Sequence, residues 1–142
     1  MIRHLASIAE VVDDFDAAVR FYRDVLGLTV EPKPDLNYAN VIVGGVLHFA
    51  IWRRSHAAQI IFGDEKATER VPLGFTVGFE VDSVQASELQ LGKSGGAVVQ
   101  GSHLEPWGQH TSRFTTPSGA ICEFSESPWA RSLRTQVEAN PT

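Results

Sequence analysis

The feature that most limits how this chain can fold is an order of secondary-structure signals that occurs twice. Residues 5–12 are an apolar segment typical of a strand, and Asp13 and Asp14 follow as helix-capping residues. Apolar residues then recur at helical spacing from 15 to 26, and Gly27 can end this helix in a left-handed turn. Strands are predicted at 28–31, 39–43 and 46–52, the last two joined by a Gly44-Gly45 hairpin.

The second half of the chain shows the same order. A strand at 74–81 precedes a helix over 84–93, and strands follow at 97–100, 109–115 and 120–125. The connector 53–73 is polar with room for a short strand or helix, and 101–108 is predicted to be a loop. A shift of 69 residues places Ser7 on Thr76 and Asp13 on Asp82. We therefore predict two βαβββ repeats, at about 4–64 and 74–127, in a single domain of residues 1–130, with a tail at 131–142.

Composition and charge exclude several classes of function. The net charge of −5 and the absence of a basic run argue against a nucleic-acid partner, which needs a Lys/Arg surface. No apolar run approaches the ~20 residues that cross a bilayer, and the first residues lack the apolar core of a signal peptide. The single cysteine, Cys122, cannot form an internal disulfide and is predicted to be buried. We expect a cytoplasmic protein with no membrane partner.

Two segments resemble the vicinal-oxygen-chelate superfamily, which includes glyoxalases, bleomycin-resistance proteins and extradiol dioxygenases. VVDDFDAAVRFYRDVLGL (residues 11–28) is similar to the opening strand-to-helix signature of that superfamily, and EPWGQHTSRFTTPSGAICEF (105–124) is similar to its last hairpin. FEVDSV (79–84) resembles the start of the second repeat. The resemblance implies an α+β fold in which two βαβββ repeats form curved mixed sheets around a cavity. It leaves the ligand open, because this fold carries many functions.

The resemblance also implies four cavity-facing strand positions that can hold a divalent metal. Carried onto this sequence, these positions are Ser7, Thr76, Glu123 and, through the repeat, His48, with Phe49 as the alternative if the hairpin shifts by one. Strand alternation favours an inward His48 and Glu123, with Phe49, Cys122 and Phe124 on the helix side. One imidazole, one carboxylate and two hydroxyls form an incomplete catalytic metal site. We therefore expect either no cofactor or one divalent metal held by His48 and Glu123.

Four further residues are candidates for ligand contact, each with a structural alternative: Trp52, Trp107, His110 and Arg113. The two tryptophans can stack on a flat ligand or anchor a strand end and a loop. Arg113 can pair with an anionic substrate or lie solvated on an edge strand. His110 and His103 supply a third metal ligand only if their segments bend inward. His4, His56 and His103 are interpreted as surface or loop residues.

Three functions remain open at this point. The first is a drug-resistance-like homodimer that binds a small aromatic molecule in its cavity without metal chemistry. The second is a metal-dependent lyase, isomerase or dioxygenase, in which Glu123 is a ligand or base and His48 a ligand. Without metal, the same pair can perform acid–base chemistry. The third is a partner-binding module without a ligand, which the polar inward residues disfavour.

Overall fold

The structure, a computed structural model, describes residues 2–43 and 48–129. Its strands are β1 (Ile2–Val12), β2 (Thr29–Pro32), β3 (Tyr38–Ile42), β4 (His48–Arg53), β5 (Gly74–Val81), β6 (Ala97–Leu104), β7 (His110–Thr115) and β8 (Ile121–Glu126). Its α-helices are α1 (Phe15–Arg20), α2 (Arg54–Phe62) and α3 (Val84–Lys93), with a π-helical turn at Phe21–Val25 and a 3-10 helix at Glu65–Arg70. The chain divides into two compact units: the N-terminal unit, Ser7–Thr76, and the C-terminal unit, which combines Met1–Ala6 with Val77–Thr142.

Each unit contains the same arrangement of four strands. The strand order is β2-β3-β4-β1 in the N-terminal unit and β6-β7-β8-β5 in the C-terminal unit. In both, the first strand runs parallel to the last (β1 with β4, β5 with β8), and the other pairs are antiparallel. A parallel pair needs a crossover connection, which the helix after the first strand begins. The predicted α+β fold of two βαβββ repeats with mixed sheets is confirmed.

The core of the N-terminal unit forms where α1 packs on one face of its sheet. The helix begins as predicted, because the Asp14 carboxylate accepts a hydrogen bond from the Ala17 amide at 3.0 Å. Its apolar stripe meets inward residues of β3 and β4, and the buried cluster comprises Phe15, Val19, Tyr22, Ala39, Val41 and Ile51. These buried apolar groups stabilise the unit through the hydrophobic effect.

The predicted helix over 15–26 is α-helical only in its first part. From Phe21 it widens to a π-helical turn, with the Leu26 amide bonding the Phe21 carbonyl at 3.0 Å, and Gly27 then ends it at φ +71° as expected. The wider turn accompanies a tertiary contact: Tyr22 lies in the core while its hydroxyl donates to the Glu10 carboxylate at 2.7 Å. Sequence periodicity does not report such a contact.

The C-terminal unit repeats this construction around α3. The Ser83 hydroxyl caps the helix by accepting from the Ala86 amide at 3.1 Å. The core beneath the helix comprises Val81, Val84, Phe114, Cys122 and Phe124. Burial raises the pKa of the Cys122 thiol, which keeps it protonated and unreactive. The prediction that Cys122 is a core residue is confirmed.

Two predicted connections contain regular structure. The polar residues after Gln100 continue β6 to Leu104, with register irregularities at Val98/Gln100 and Gln100/His103, so the predicted loop 101–108 is wrong in its first half. The connector holds α2 and the 3-10 helix, and Gly63 ends α2 at φ +71°.

Some sequence predictions fall beyond what the structure describes. The Gly44-Gly45 hairpin, the first two residues of the strand predicted at 46–52 and the tail at 131–142 lie outside the described residues. Within residues 2–43 and 48–129, no helix has the length and apolarity needed to span a bilayer.

Replacing Phe15 with alanine tests the core of the N-terminal unit. Phe15 is 1% exposed beneath α1, so we expect Phe15→Ala to lower the free energy of unfolding by about 3–5 kcal/mol. The matched control is Phe21→Ala, which removes a ring that is 48% exposed and should cost less than about 1 kcal/mol. Urea unfolding followed by circular dichroism measures both, and equal costs would contradict this assignment of the core.

Candidate functional site

In the N-terminal unit, the sheet face opposite α1 carries rings and polar groups. Phe49 and Ile51 of β4 pack toward α1, so the alternation places His48, Ala50 and Trp52 on the other side, as predicted. The strand register aligns Tyr38 with Trp52, Asn40 with Ala50 and Ser7 with His48. We call Tyr38, Asn40, His48 and Trp52 the ring face. Phe49 does not replace His48 on this face, which excludes the one-residue shift.

The rings of this face are connected by hydrogen bonds. The Tyr38 hydroxyl lies 2.8 Å from His48 Nε2, and the two rings stack with centroids 6.1 Å apart and planes at 9°. Trp52, which is 8% exposed, donates its indole N–H to His56 Nδ1 at 2.8 Å. His56 is a partly exposed residue of α2 with a side-chain partner, so it is not a loop residue. The sequence analysis did not include Tyr38 or His56 among the candidate site residues. The alternation of side chains in β3 was the available signal, because it places Tyr38 and Asn40 on the same face.

His48 is held in its neutral form by its surroundings. Burial, and secondarily the positive charge of Lys33, lower the pKa of His48 below its ordinary value of 6.5. A neutral imidazole near pH 7 is a hydrogen-bonding group and a potential base rather than a cation.

In the C-terminal unit, the face opposite α3 holds a cluster of buried polar side chains. Arg113, which is 2% exposed, bonds the Glu105 carboxylate at 2.7 Å through Nη1 and the Glu123 carboxylate at 3.2 Å through Nη2, and it also donates to Gln100. The alternative of a solvated edge-strand Arg113 is wrong, because β7 lies between β6 and β8. We call Glu105, Gln109, Arg113 and Glu123 the carboxylate cluster.

Gln109 fixes the second oxygen of Glu123 from the neighbouring loop. Its Nε2 donates to Glu123 Oε1 at 3.2 Å and also to Ser125 and Ser127, at 2.7 and 3.1 Å. Trp107 donates its indole N–H to Gln109 Oε1 at 2.8 Å, so this tryptophan, 46% exposed, anchors the loop. Sequence reasoning missed Glu105 and Gln109. The available signal was their position as polar residues flanking a Pro-Trp-Gly turn.

The two histidines proposed as a third metal ligand occupy different places. His103 Nε2 lies 2.9 Å from Glu105 Oε1, which makes it a neighbour of the carboxylate cluster and corrects its interpretation as an unpartnered loop residue. His110 bonds Ser102 at 2.9 Å and Glu126 at 3.4 Å, and Glu126 also caps the first residue of α3. His110 therefore lies on the α3 side of β7, one residue away from Thr111, which faces the cluster. The substrate contact of His110 stays a prediction, and its side chain lies on the face of β7 opposite to that of Arg113, which pairs with Glu123.

The strand registers revise which residues are counterparts in the two repeats. The 69-residue shift that places Ser7 on Thr76 places Ala9 on Gly78. Ala9 pairs with Ala50, whereas Gly78 pairs with Glu123. The counterpart of Glu123 is therefore Ala50 and not His48. The prediction of His48 came from counting residues after the hairpin glycines, and such a count ignores how the strands pair. A two-residue change keeps the same face, so the alternation alone could not detect it.

The described residues do not fit a catalytic metal. A metal site built from equivalent positions of the two repeats has two possible sets of residues. The first set is Ser7 and His48 with their counterparts Thr76 and Ile121. The second set is Ala9 and Ala50 with their counterparts Gly78 and Glu123. Each set contains a single residue of strong ligand type. Across residues 2–43 and 48–129, no group of three or more His, Cys, Asp or Glu residues is arranged to hold a metal. His48 and Glu123 belong to different units, and their meeting in one cavity stays a prediction.

Comparisons with known proteins agree with this fold. The family model described as a glyoxalase-like domain matches residues 5–128, and the chain belongs to that family. A glyoxalase/bleomycin resistance protein/dioxygenase superfamily member from Vibrio splendidus 12B01 is 14% identical, with a TM-score of 0.62 over 89% of this chain and 100% of that one. Methylmalonyl-CoA epimerases from Streptomyces coelicolor (a variant in complex with 2-nitronate-propionyl-CoA) and Mycobacterium tuberculosis are 19% and 16% identical, with TM-scores of 0.60 and 0.58. These matches cover 90% of this chain and 99% of the Streptomyces chain, and 92% and 93% for the mycobacterial protein. A comparison of this sequence with the curated proteins found no significant match.

Removing the buried guanidinium tests the carboxylate cluster. We expect Arg113→Met to lower the free energy of unfolding by about 3–5 kcal/mol, because it leaves two carboxylates near each other without their cation. Glu105→Gln should lower the free energy of unfolding by less in the Arg113→Met variant than in the parent protein. The control is Arg3→Met, which breaks an ion pair whose side chains are 45% exposed and should cost less than about 1 kcal/mol. A loss no larger than that of Arg3→Met would contradict the role of Arg113.

The ring face should make folding stability depend on pH through His48. Its pKa is lower in the folded than in the unfolded chain, so its contribution is fully present above 6.5 and is lost as the pH falls toward the folded pKa. We expect His48→Gln to reduce the loss of stability between about pH 7.5 and about pH 5.5, measured by urea unfolding. Lys33→Gln should move the NMR-detected His48 titration upward, whereas Lys66→Gln should not. A His48 titration at or above 6.5 in the parent protein would contradict this assignment.

Proposed function

We propose that this protein binds a small aromatic molecule on the ring face and does so without a resident metal ion. The absence of a metal is inferred from the registers of β1 with β4 and of β5 with β8, because each set of repeat-related positions then contains a single strong metal ligand. The observation that carries the aromatic part is the group of connected rings at Tyr38, His48 and Trp52.

The surroundings of Glu123 also oppose a metal. One of its oxygens forms an ion pair with Arg113 Nη2 at 3.2 Å, and the other accepts a hydrogen bond from Gln109 Nε2 at 3.2 Å. A divalent cation on this carboxylate would lie close to the positive Arg113 guanidinium in a buried region, where like charges repel strongly. The carboxylate therefore serves better as a hydrogen-bond acceptor within its own cluster.

The ring face has the composition of a binding surface for a flat molecule. Tyr38 and His48 are partly exposed and parallel, and Trp52 meets Tyr38 edge-on with centroids 6.4 Å apart. Ala50 lies between His48 and Trp52 along β4, and Ala9 of β1 is aligned with Ala50. Side chains of this kind let a planar ring approach the sheet and stack.

The metal-dependent lyase, isomerase or dioxygenase is the competing function. It needs additional ligands that neither register set supplies. The structure of the Streptomyces epimerase, a protein of the same fold, contains a CoA derivative. This supports the proposal that the fold can bind a small molecule, but it does not identify the ligand of this chain. A cytoplasmic location and homodimeric assembly stay predictions, and the binding proposal depends on neither.

Metal analysis and ring-probe titrations test this function together. Protein purified without added metal should contain well below one equivalent of any divalent transition metal, and NMR titration with phenol, benzamide and indole should give saturable shifts of the Trp52 indole N–H for at least one probe. Tyr38→Leu should weaken that binding because it removes a stacking ring. The matched control, Phe21→Leu, changes an exposed ring on the helical segment and should leave binding unchanged.

Two results would overturn the proposal. About one equivalent of bound metal that is lost in the His48→Ala/Glu123→Ala double variant would favour the enzyme. Saturable binding by none of the probes, or equal weakening in Tyr38→Leu and Phe21→Leu, would remove the ring face as the binding surface.

A further inference from the structure

One polar atom of the ring face has no hydrogen-bond partner. Among the side chains of residues 2–43 and 48–129, two buried polar atoms lack a partner, and these are His4 Nε2 and Asn40 Oδ1. Asn40 lies in β3, two residues from Tyr38 and opposite Ala50 of β4. A buried acceptor without a donor has lost its hydrogen bond to water without a replacement, which destabilises the folded state.

The neighbours of Asn40 explain why the protein itself does not satisfy this atom. The residues aligned with it on the two neighbouring strands are Ala50 of β4, which has no polar side-chain atom, and Glu31 of β2, whose carboxylate is an acceptor when ionised. The nearby donors are already engaged, because the Tyr38 hydroxyl shares a hydrogen bond with His48 and the Trp52 indole N–H bonds His56. The strand thus places an acceptor among rings whose own polar atoms are paired with one another.

We propose that Asn40 is the specificity-determining residue of the ring face, whose carbonyl accepts a hydrogen bond from a hydroxyl or amino group carried by the bound ring. This inference rests on the proposed binding function and names its ligand class: an aromatic molecule that carries an O–H or N–H donor. Asn40 as a whole residue is partly exposed, which places it at the surface of the ring face.

Phenol and anisole form the probe pair that tests this inference, since both carry an aromatic ring and an oxygen but only phenol donates a hydrogen bond. We expect the parent protein to bind phenol at least about fivefold more tightly than anisole, as judged by NMR titration. Asn40→Leu, of similar volume but without an acceptor, should abolish this preference. Asn40→Asp, which keeps an acceptor at the same place, should retain it.

A second measurement needs no ligand. Because the Asn40 carbonyl is buried and unsatisfied, Asn40→Leu should leave the ligand-free protein as stable as the parent or more stable, which also ensures that the variant folds. A residue with a satisfied structural hydrogen bond would instead lose stability on this change. Asn37→Leu is the control, a partly exposed asparagine just before β3, and its effect on the phenol preference should be nil.

The outcomes separate the two proposals. If anisole binds as tightly as phenol in the parent protein, or if Asn40→Leu keeps the preference, the role of Asn40 is wrong while ring binding stands. If Asn40→Leu lowers the urea midpoint of unfolding of the ligand-free protein, its carbonyl is satisfied in solution and the inference also fails. If neither phenol nor anisole binds, the role of Asn40 is wrong, and both proposals fall when benzamide and indole do not bind either.

Discussion

Each four-stranded sheet is covered by its own helix on one face, and this one-sided packing determines where every strand residue goes. In the N-terminal unit α1 buries Val41 and Ile51, and in the C-terminal unit α3 buries Phe114 and Phe124. Because side chains alternate along a strand, burying one set presents the other set on the opposite face. The ring face and the carboxylate cluster are the opposite faces of these two sheets. A shift of one residue in register would exchange the core with the candidate site.

The two units use their opposite faces in chemically different ways. The carboxylate cluster saturates its acceptors: Arg113 lies between Glu105 and Glu123, and Gln109 ties the loop to the strand. Buried charges need such partners, because an unpaired charge in a region of low dielectric is costly. The ring face instead leaves the Asn40 carbonyl unsatisfied. A network in which every acceptor has a donor stabilises the fold. A network with an unsatisfied acceptor can still accept a hydrogen bond from a bound molecule.

The strand registers also change how the repeat bears on function. Both helices begin 69 residues apart, at Phe15 and Val84, so the repeat is regular at its start. By the last strand of each repeat the spacing has grown by four residues, from 69 to 73, and Glu123 matches Ala50. Two similar repeats can therefore keep the same fold while their potential ligand positions no longer correspond. Membership of the glyoxalase-like family thus defines the architecture of this chain and leaves its chemistry to individual side chains.

The sequence alone determined the order of elements, both helix starts, the left-handed end at Gly27 and the faces of β4 and β8, because capping, periodicity and alternation are local properties. Family motifs added the fold. The tertiary structure decided the rest: the pairing that makes Ala50 the counterpart of Glu123, the salt bridges of Arg113, the partner of His56 and the isolation of the Asn40 carbonyl. These features depend on which residues of distant strands and loops come into contact. A linear pattern with a period of two cannot distinguish two registers that differ by one full period.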